Sequence, residues 1–109
     1  MKTQLKVGLF AALALAAAAF AVPQIVGAQG ADHMTVEKDT DRPGGDYRNF
    51  IMEKSNANDC RKTCKADVQC RAYTYVKPGI QGPKARCWLK SVQPAPVPNE
   101  CCESGIKEE

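Results

Sequence analysis

The six cysteines of this chain carry most of the chemistry that its sequence offers. Thiols can form disulfides, ligate metals or act as nucleophiles, and their spacing helps to decide between these uses. So many cysteines in the C-terminal half of a short chain are typical of a small exported domain, in which disulfides replace a large apolar core. They are Cys60, Cys64, Cys70, Cys87, Cys101 and Cys102.

The N-terminus indicates export independently of the cysteines. Two lysines precede an uncharged apolar run over residues 7–22, which is short for a membrane span of about 20 residues. We therefore predict a signal peptide over residues 1–28, cleaved after Ala28; cleavage near residues 19–21 and an uncleaved membrane anchor are the alternatives. The remaining 81 residues suffice for one small domain with a marginal core.

Charge limits the partners that the mature chain can have. Cleavage removes two of the 15 basic residues and none of the 12 acidic ones, so the net charge falls from +3 to about +1. That charge does not indicate nucleic-acid binding, and without the apolar run we expect no stable membrane insertion. The exported chain then divides into a tail over residues 29–34 and a domain over residues 35–107.

Short elements must position the cysteines. Asn56 or Asn58 can cap a helix over residues 59–66. Proline and glycine predict loops and an extended linker over residues 39–46, 77–85 and 94–98. Alternating, aromatic and β-branched segments predict strands over residues 34–38, 47–51, 70–76 and 86–90, with a final edge strand over residues 101–107.

The helix limits how the cysteines pair. Cys60 and Cys64 lie one turn apart on the same helical face, where their side chains run parallel and cannot easily bridge each other. Each should reach a different partner, so among the pairings that six cysteines allow we favour Cys60–Cys87 and Cys64–Cys70. The two adjacent cysteines that remain can form a vicinal disulfide, pair between chains, or tie the C-terminal strand to the core.

Strand alternation predicts two faces for the hairpin. Period two places Cys70 and Thr74 on one face with Cys87 of the next strand, and the helix would lie across it. The opposite face would present aromatic and cationic side chains to an anionic glycan or a protein. Alternatively, its two tyrosines form a second small core under residues 34–50. The candidate ligand-binding residues of this face are Arg71, Tyr73, Tyr75, Arg86, Trp88 and Lys90.

Catalysis and metal binding find little support in the sequence. The single histidine, His33, lies in the tail, and a cysteine held in a disulfide cannot attack a substrate. Structural zinc sites favour spaced cysteine pairs, but the pair at 101–102 has no spacer. A calcium loop beginning at Asp39 would place Pro43 and Phe50 at ligand positions, and neither has a side-chain oxygen. We therefore expect no catalytic residue, no metal and no cofactor.

The cysteines and their flanking residues resemble those of PAN/apple domains. The likeness lies in C-x3-C-x5-C over residues 60–70, CRAYTY over 70–75 and CWLK over 87–90, and residues 39–47 resemble the opening of bacterial PAN modules. The resemblance covers about 35–107 and implies a small antiparallel sheet, one short helix and two core disulfides. It also implies binding of proteins or carbohydrates rather than catalysis. Apple domains often link their two ends by a further disulfide, but no cysteine precedes position 60 here.

Together these patterns predict a small, disulfide-stabilised α+β domain, an antiparallel β-sheet with one short helix packed on it. We expect it to be secreted or periplasmic and to bind a protein or polysaccharide without catalysis. Two alternatives belong to other classes. A small secreted inhibitor would block an enzyme through loops at residues 77–85 and 93–99, and an envelope thiol-redox protein would use Cys101 and Cys102.

Overall fold

A computed structural model describes residues 33–108 of the chain. The predicted signal peptide and the first part of the predicted tail lie outside these residues. His33 and Met34, at the end of that tail, pair with the end of the final strand. The elements in chain order are β1 (His33–Met34), β2 (Glu37–Asp41), β3 (Asp46–Met52), α1 (Ala57–Ala66), β4 (Ala72–Val76), β5 (Ala85–Lys90) and β6 (Val97–Glu108).

The final strand runs through the middle of the antiparallel sheet. The strands lie in the order β1, β6, β4, β5, β3, and β2 pairs with β6 on the side away from β4. The prediction of an edge strand over residues 101–107 is therefore wrong, because β2 covers what would have been its free edge. β6 begins at Val97, so residues 97–99, which the inhibitor hypothesis places in a loop, belong to a strand.

The helix α1 begins at Ala57, earlier than the predicted start at residue 59, because Asn56 rather than Asn58 is its cap. The side chain of Asn56 accepts a hydrogen bond from the backbone N–H of Asn58 at 2.9 Å, and the helix continues to Ala66. Its buried residues are Cys60 and Cys64. Among residues 33–108, no helix has the length and apolar character needed to cross a membrane.

Two disulfides clamp α1 to the sheet, and both predicted pairs are confirmed. Cys60 is bonded to Cys87 in β5, and Cys64 is bonded to Cys70 before β4, with Cα–Cα distances of 5.5 and 5.2 Å. On the chain-entropy model these closures stabilise the fold by about 3.5 and 2.5 kcal/mol. That is a large share of the stability of a domain this small.

The core lies between α1 and one face of the sheet. Tyr73 pairs with Leu89, and Tyr75 pairs with Cys87. Directly opposite residues of antiparallel strands share a face, so both tyrosines point toward α1. The core residues are Met52, Cys60, Cys64, Cys70, Tyr73, Tyr75, Ala85, Cys87 and Leu89, with Met34, Tyr47, Phe50 and Ala57 packed against them.

The predicted phase of β4 is wrong. The strand begins only at Ala72, so alternation cannot be counted back to Cys70, which reaches the core from the turn before the strand. Thr74 consequently lies on the face opposite α1, where it pairs with Trp88. The two tyrosines are buried, as the alternative interpretation held, but α1 covers them.

Candidate ligand-binding site

A concave pocket opens on the sheet face opposite α1. It encloses about 570 Å³, within the range of small-molecule sites. Its floor comes from β4 and β5, and its three walls come from the β2–β3 connection, the β4–β5 loop and β6. The lining residues, in that order, are Thr74, Val76, Trp88 and Lys90; Asp41, Pro43, Gly44 and Asp46; Ile80 and Gln81; and Asn99, Cys101 and Cys102.

The indole of Trp88 is the aromatic surface of this pocket. The side chain is partly exposed, and its Nε1 donates a hydrogen bond to Oε1 of Gln81 at 2.9 Å. Gly79 and Gly82 adopt φ values of 91° and 145°, a left-handed backbone that turns this loop over the strand ends. The hydrogen bond restricts the plane of the indole. An accessible ring of restricted orientation suits stacking against a flat apolar face of a ligand.

Lys90 lies on the same floor, but its charge is already paired. The residue is only 2% exposed, and its Nζ lies 2.6 Å from Oδ1 of Asp46 and 3.2 Å from the carbonyl oxygen of Gly44. A buried ammonium needs such partners because its desolvation is costly. Lys90 therefore holds the β2–β3 wall against the floor and offers little charge to a ligand.

Arg42 holds the same wall from its other side. Its Nε and Nη2 donate to the two carboxylate oxygens of Glu37, both at 2.8 Å, and its Nη1 donates to the carbonyl oxygen of Pro94 at 2.6 Å. The hydrogen bonds from the guanidinium hold the pKa of Glu37 below its usual range. Such bidentate pairs fix the geometry of both side chains, so this wall is tied to the segment that follows β5.

The third wall is a bulge in β6 that contains the disulfide between Cys101 and Cys102. Lys38 of β2 pairs with Glu103 of β6, and Thr40 pairs with Pro98. Between these two pairs β6 has more residues than β2, so the additional residues of β6 form a bulge. Within the bulge, the backbone N–H of Cys101 donates to Oδ1 of Asn99 at 3.0 Å. The two adjacent cysteines are bonded to each other, with a Cα–Cα distance of 3.7 Å. Of the three alternatives open from the sequence, the structure shows the vicinal disulfide.

The segment that builds the floor of the pocket matches a known family. Residues 40–90 match the family model of the PAN domain. Over these residues the chain is similar to a PAN domain. The match runs from the end of β2 to the end of β5, includes the four cysteines bonded at the helix face, and confirms the resemblance seen in the sequence. Comparisons with curated proteins and with solved structures found no match.

The PAN domain indicates a general class of function. Its presence suggests a module that binds a protein or a carbohydrate, and PAN domains are generally non-catalytic. The disulfides and the PAN domain together suggest an extracellular or secreted protein. The vicinal disulfide lies beyond the matched residues, so this wall of the pocket comes from outside the segment that identifies the family.

The six candidate ligand-binding residues do not lie on one face of the sheet. Trp88 and Lys90 line the pocket. Arg86 lines a neighbouring groove, where its Nη1 donates to Oδ1 of Asn49. Arg71 lines a separate groove beside the end of β6. The prediction of one continuous face is wrong, because the actual phase of β4 turns Tyr73 and Tyr75 toward α1 and Arg71 lies before that strand.

Tyr73 and Tyr75, the remaining two candidates, belong to the core. The hydroxyl of Tyr73 donates to Oε2 of Glu103 at 3.1 Å, and Nη1 of Arg61 in α1 lies 3.5 Å from the same oxygen. Burial raises the pKa of both tyrosine hydroxyls. These side chains stabilise the packing of α1 on the sheet and lie away from the pocket.

Sequence reasoning missed the acidic and sulfur-containing walls of the pocket. Asp41 and Asp46 occur in a segment whose composition indicates only a turn. Pairing of β2 with β6 brings Asp41 beside the bulge, and its carboxylate and the Sγ atoms of Cys101 and Cys102 lie within 4.8 Å of one another. No local pattern connects residues so far apart in sequence, so this group is visible only in the folded chain.

Proposed function

We propose that this chain is an exported, non-catalytic module that binds a neutral saccharide in the pocket over Trp88. The observation that carries the proposal is the partly exposed indole, held by Gln81 on the floor of a pocket whose walls offer oxygen acceptors. A sugar ring presents a flat C–H face that can stack on an aromatic ring. Its hydroxyl groups can donate to the carboxylate of Asp41 and to the side-chain oxygen of Asn99.

Charge favours a neutral sugar over the anionic glycan that the sequence also allowed. The charged lining residues that the structure describes are Asp41, Asp46 and Lys90. Since Lys90 is bound to Asp46, the carboxylate of Asp41 leaves the lining with a net negative charge. An anionic ligand would be repelled there, whereas a neutral polyol would find hydrogen-bond acceptors.

The form of the pocket favours a saccharide over a protein partner. A standard protein interface buries about 800 Å² on each partner and is spread over many residues. Ligand sites for small molecules are instead concave, with a few polar groups that orient the ligand on an apolar surface. The Trp88 pocket, with its single aromatic floor and polar walls, corresponds to the second type.

Export is the second part of the proposal. The predicted signal peptide over residues 1–28 would direct the chain out of the cytoplasm. Disulfides form and persist in oxidising compartments, and all six cysteines of the chain are bonded. We therefore propose that the domain acts in the periplasm or outside the cell.

A glycan array, followed by calorimetric titration of the strongest ligand, tests the saccharide site with the purified, oxidised protein. Trp88→Ala should lower the affinity at least about tenfold, because it removes the stacking surface. Arg71→Ala is the matched control, since Arg71 lines a different groove. The control should keep the affinity of the unaltered protein, and both variants should keep their near-native melting temperature.

Two results would contradict the saccharide site. Unchanged affinity in Trp88→Ala, or equal losses in the two variants, would place the ligand elsewhere on the domain. If no glycan on the array binds, but a purified protein partner binds and Trp88→Ala abolishes that binding, the ligand of the pocket is a protein rather than a saccharide.

A further inference from the structure

We propose that reduction of the Cys101–Cys102 disulfide creates a binding site for a thiophilic divalent cation such as Zn²⁺. The ligands would be the two thiolates and the carboxylate of Asp41. This inference goes beyond the saccharide site, because it concerns the reduced protein and requires the two thiolates, although both sites use the carboxylate of Asp41. It assigns a use to the one disulfide that lies outside the segment matching the PAN family.

Three ligand atoms already converge on one point of the pocket wall. The carboxylate oxygen of Asp41 and the Sγ atoms of Cys101 and Cys102 lie within 4.8 Å of one another, and they form the one such group of His, Cys, Asp and Glu side chains within residues 33–108. Asp41 is placed by its pairing with Val97 at the start of β6. The bulge of β6 brings the cysteines back toward it.

The spacing of these atoms is close to what zinc requires. With Zn–S and Zn–O bonds of about 2.3 and 2.1 Å, the ligand atoms of a tetrahedral site lie roughly 3.6–3.8 Å apart. Breaking the disulfide lets the two sulfur atoms separate toward that distance, while the Asp41 carboxylate needs to approach only slightly. The fourth position would face the pocket, where water can occupy it. Two sulfurs and one oxygen suit Zn²⁺ or Cd²⁺ better than Mg²⁺ or Ca²⁺.

The vicinal disulfide is the most accessible to a reductant. The four cysteines bonded at the helix face are 0% exposed, whereas Cys101 is partly exposed and lines the pocket together with Cys102. The entropic stabilisation by a disulfide grows with the length of the loop that it closes. A disulfide between adjacent residues therefore stabilises the fold less than the other two do. Its reduction should therefore leave the domain folded.

A dithiol is the class of reductant that balances the reaction. One of its thiolates attacks a sulfur of the Cys101–Cys102 bond, which forms a mixed disulfide and releases the other cysteine as a thiolate. The second thiol of the reductant then displaces the attached cysteine. Two electrons and two protons pass to the protein, and the reductant leaves as its own disulfide. Binding of Zn²⁺ to the pair subsequently releases both thiol protons.

The first experiment counts thiols in the folded protein after treatment with excess dithiol under non-denaturing conditions. We expect two thiols of the six, and peptide mapping after alkylation should assign them to positions 101 and 102. Absence of any new thiol, or reduction of all six together with loss of the folded circular-dichroism spectrum, would overturn the proposal.

The second experiment adds metal to the reduced protein after anaerobic removal of the dithiol. Zn²⁺ is measured by competition with a chromophoric chelator, and Cd²⁺ by the ultraviolet absorption of its thiolate bonds. One equivalent should bind the reduced protein and none should bind the oxidised protein. Binding to the oxidised protein, or to the double variant Cys101→Ser/Cys102→Ser, would show that the thiolates are not the ligands.

Asp41→Asn tests the third ligand. It should weaken Zn²⁺ binding at least about tenfold, whereas Asp39→Asn, which removes an exposed carboxylate two residues away on the same strand, should leave it unchanged. Equal affinities in the two variants would remove Asp41 from the site. Because saccharide binding is measured on the oxidised protein, its failure and the failure of the metal site are separate results.

Discussion

The two faces of the sheet are held together by different kinds of interaction. Under α1, two disulfides between separated residues cross a continuous core. On the pocket face the connections are ion pairs, Lys90–Asp46 and Arg42–Glu37, and the disulfide joins only neighbours. Apolar burial and buried disulfides respond little to pH or mild reductants, whereas an accessible disulfide responds to reductants and ion pairs respond to pH. The helix face thus stabilises the domain, and the pocket face is the part that the surroundings can alter.

Removal of one disulfide from each face should give the largest difference. Cys60→Ala/Cys87→Ala should lower the free energy of unfolding by about 3–5 kcal/mol, because it opens the longest disulfide loop and leaves a gap in the core. Cys101→Ser/Cys102→Ser should cost less than about 1 kcal/mol, because its ring is closed between neighbours. Urea unfolding measures both. Similar losses in the two variants would break the distinction between the faces.

Neutralising Asp46 should have the next largest effect, because it leaves the ammonium of Lys90 buried without its carboxylate. Asp46→Asn should destabilise the protein by about 2–3 kcal/mol, less than a fully buried pair would lose, since Asp46 is partly exposed. Glu53→Gln is the control, because it breaks the exposed pair with Lys84 at 2.6 Å and should cost less than about 0.5 kcal/mol. If Glu53→Gln lowers the free energy of unfolding as much as Asp46→Asn does, the burial of Lys90 does not explain the contribution of its ion pair to stability.

Acid should weaken the pocket face through Glu37. Its pKa is lowered in the folded protein by hydrogen bonds from Arg42, so its contribution is complete above the unfolded pKa of about 4.3 and is lost as the pH falls through the lower, folded value. Glu37→Gln should therefore cost about 1–2 kcal/mol at pH 7 and progressively less in acid. Urea unfolding of both proteins from pH 7 to 3 gives the difference between them. A difference that does not shrink as the pH falls would assign the effect to packing rather than to charge.

Local patterns predicted the helix face well. The cap at Asn56 and the one-turn spacing of Cys60 and Cys64 depend on residues close in sequence, so α1 and its two buried positions could be placed before the structure was known. The partners Cys87 and Cys70 followed because each cysteine of the helix had to reach a nearby strand.

The pocket face depends on long-range pairing, which no local pattern specifies. The phase of β4 was misassigned because the strand starts at Ala72 rather than at Cys70. Insertion of β6 between β4 and β2 is likewise a tertiary event, so neither the convergence of Asp41 with Cys101 nor the polar walls around Trp88 could be read from spacing. The sequence singled out Trp88 as a ligand-binding candidate because it lies among aromatic and charged residues, but the pocket around it depends on the tertiary fold.

The smallest predicted effect tests whether the faces act independently. Asn56→Ala removes the hydrogen bond that caps α1 and should lower the free energy of unfolding by about 1 kcal/mol. The chain has a single tryptophan, Trp88, whose fluorescence therefore reports on the pocket alone. Because the cap lies on the helix side, the emission of the folded variant should match that of the unaltered protein even though its urea midpoint is lower. A shifted emission maximum before unfolding would show that the packing of α1 also sets the geometry of the pocket.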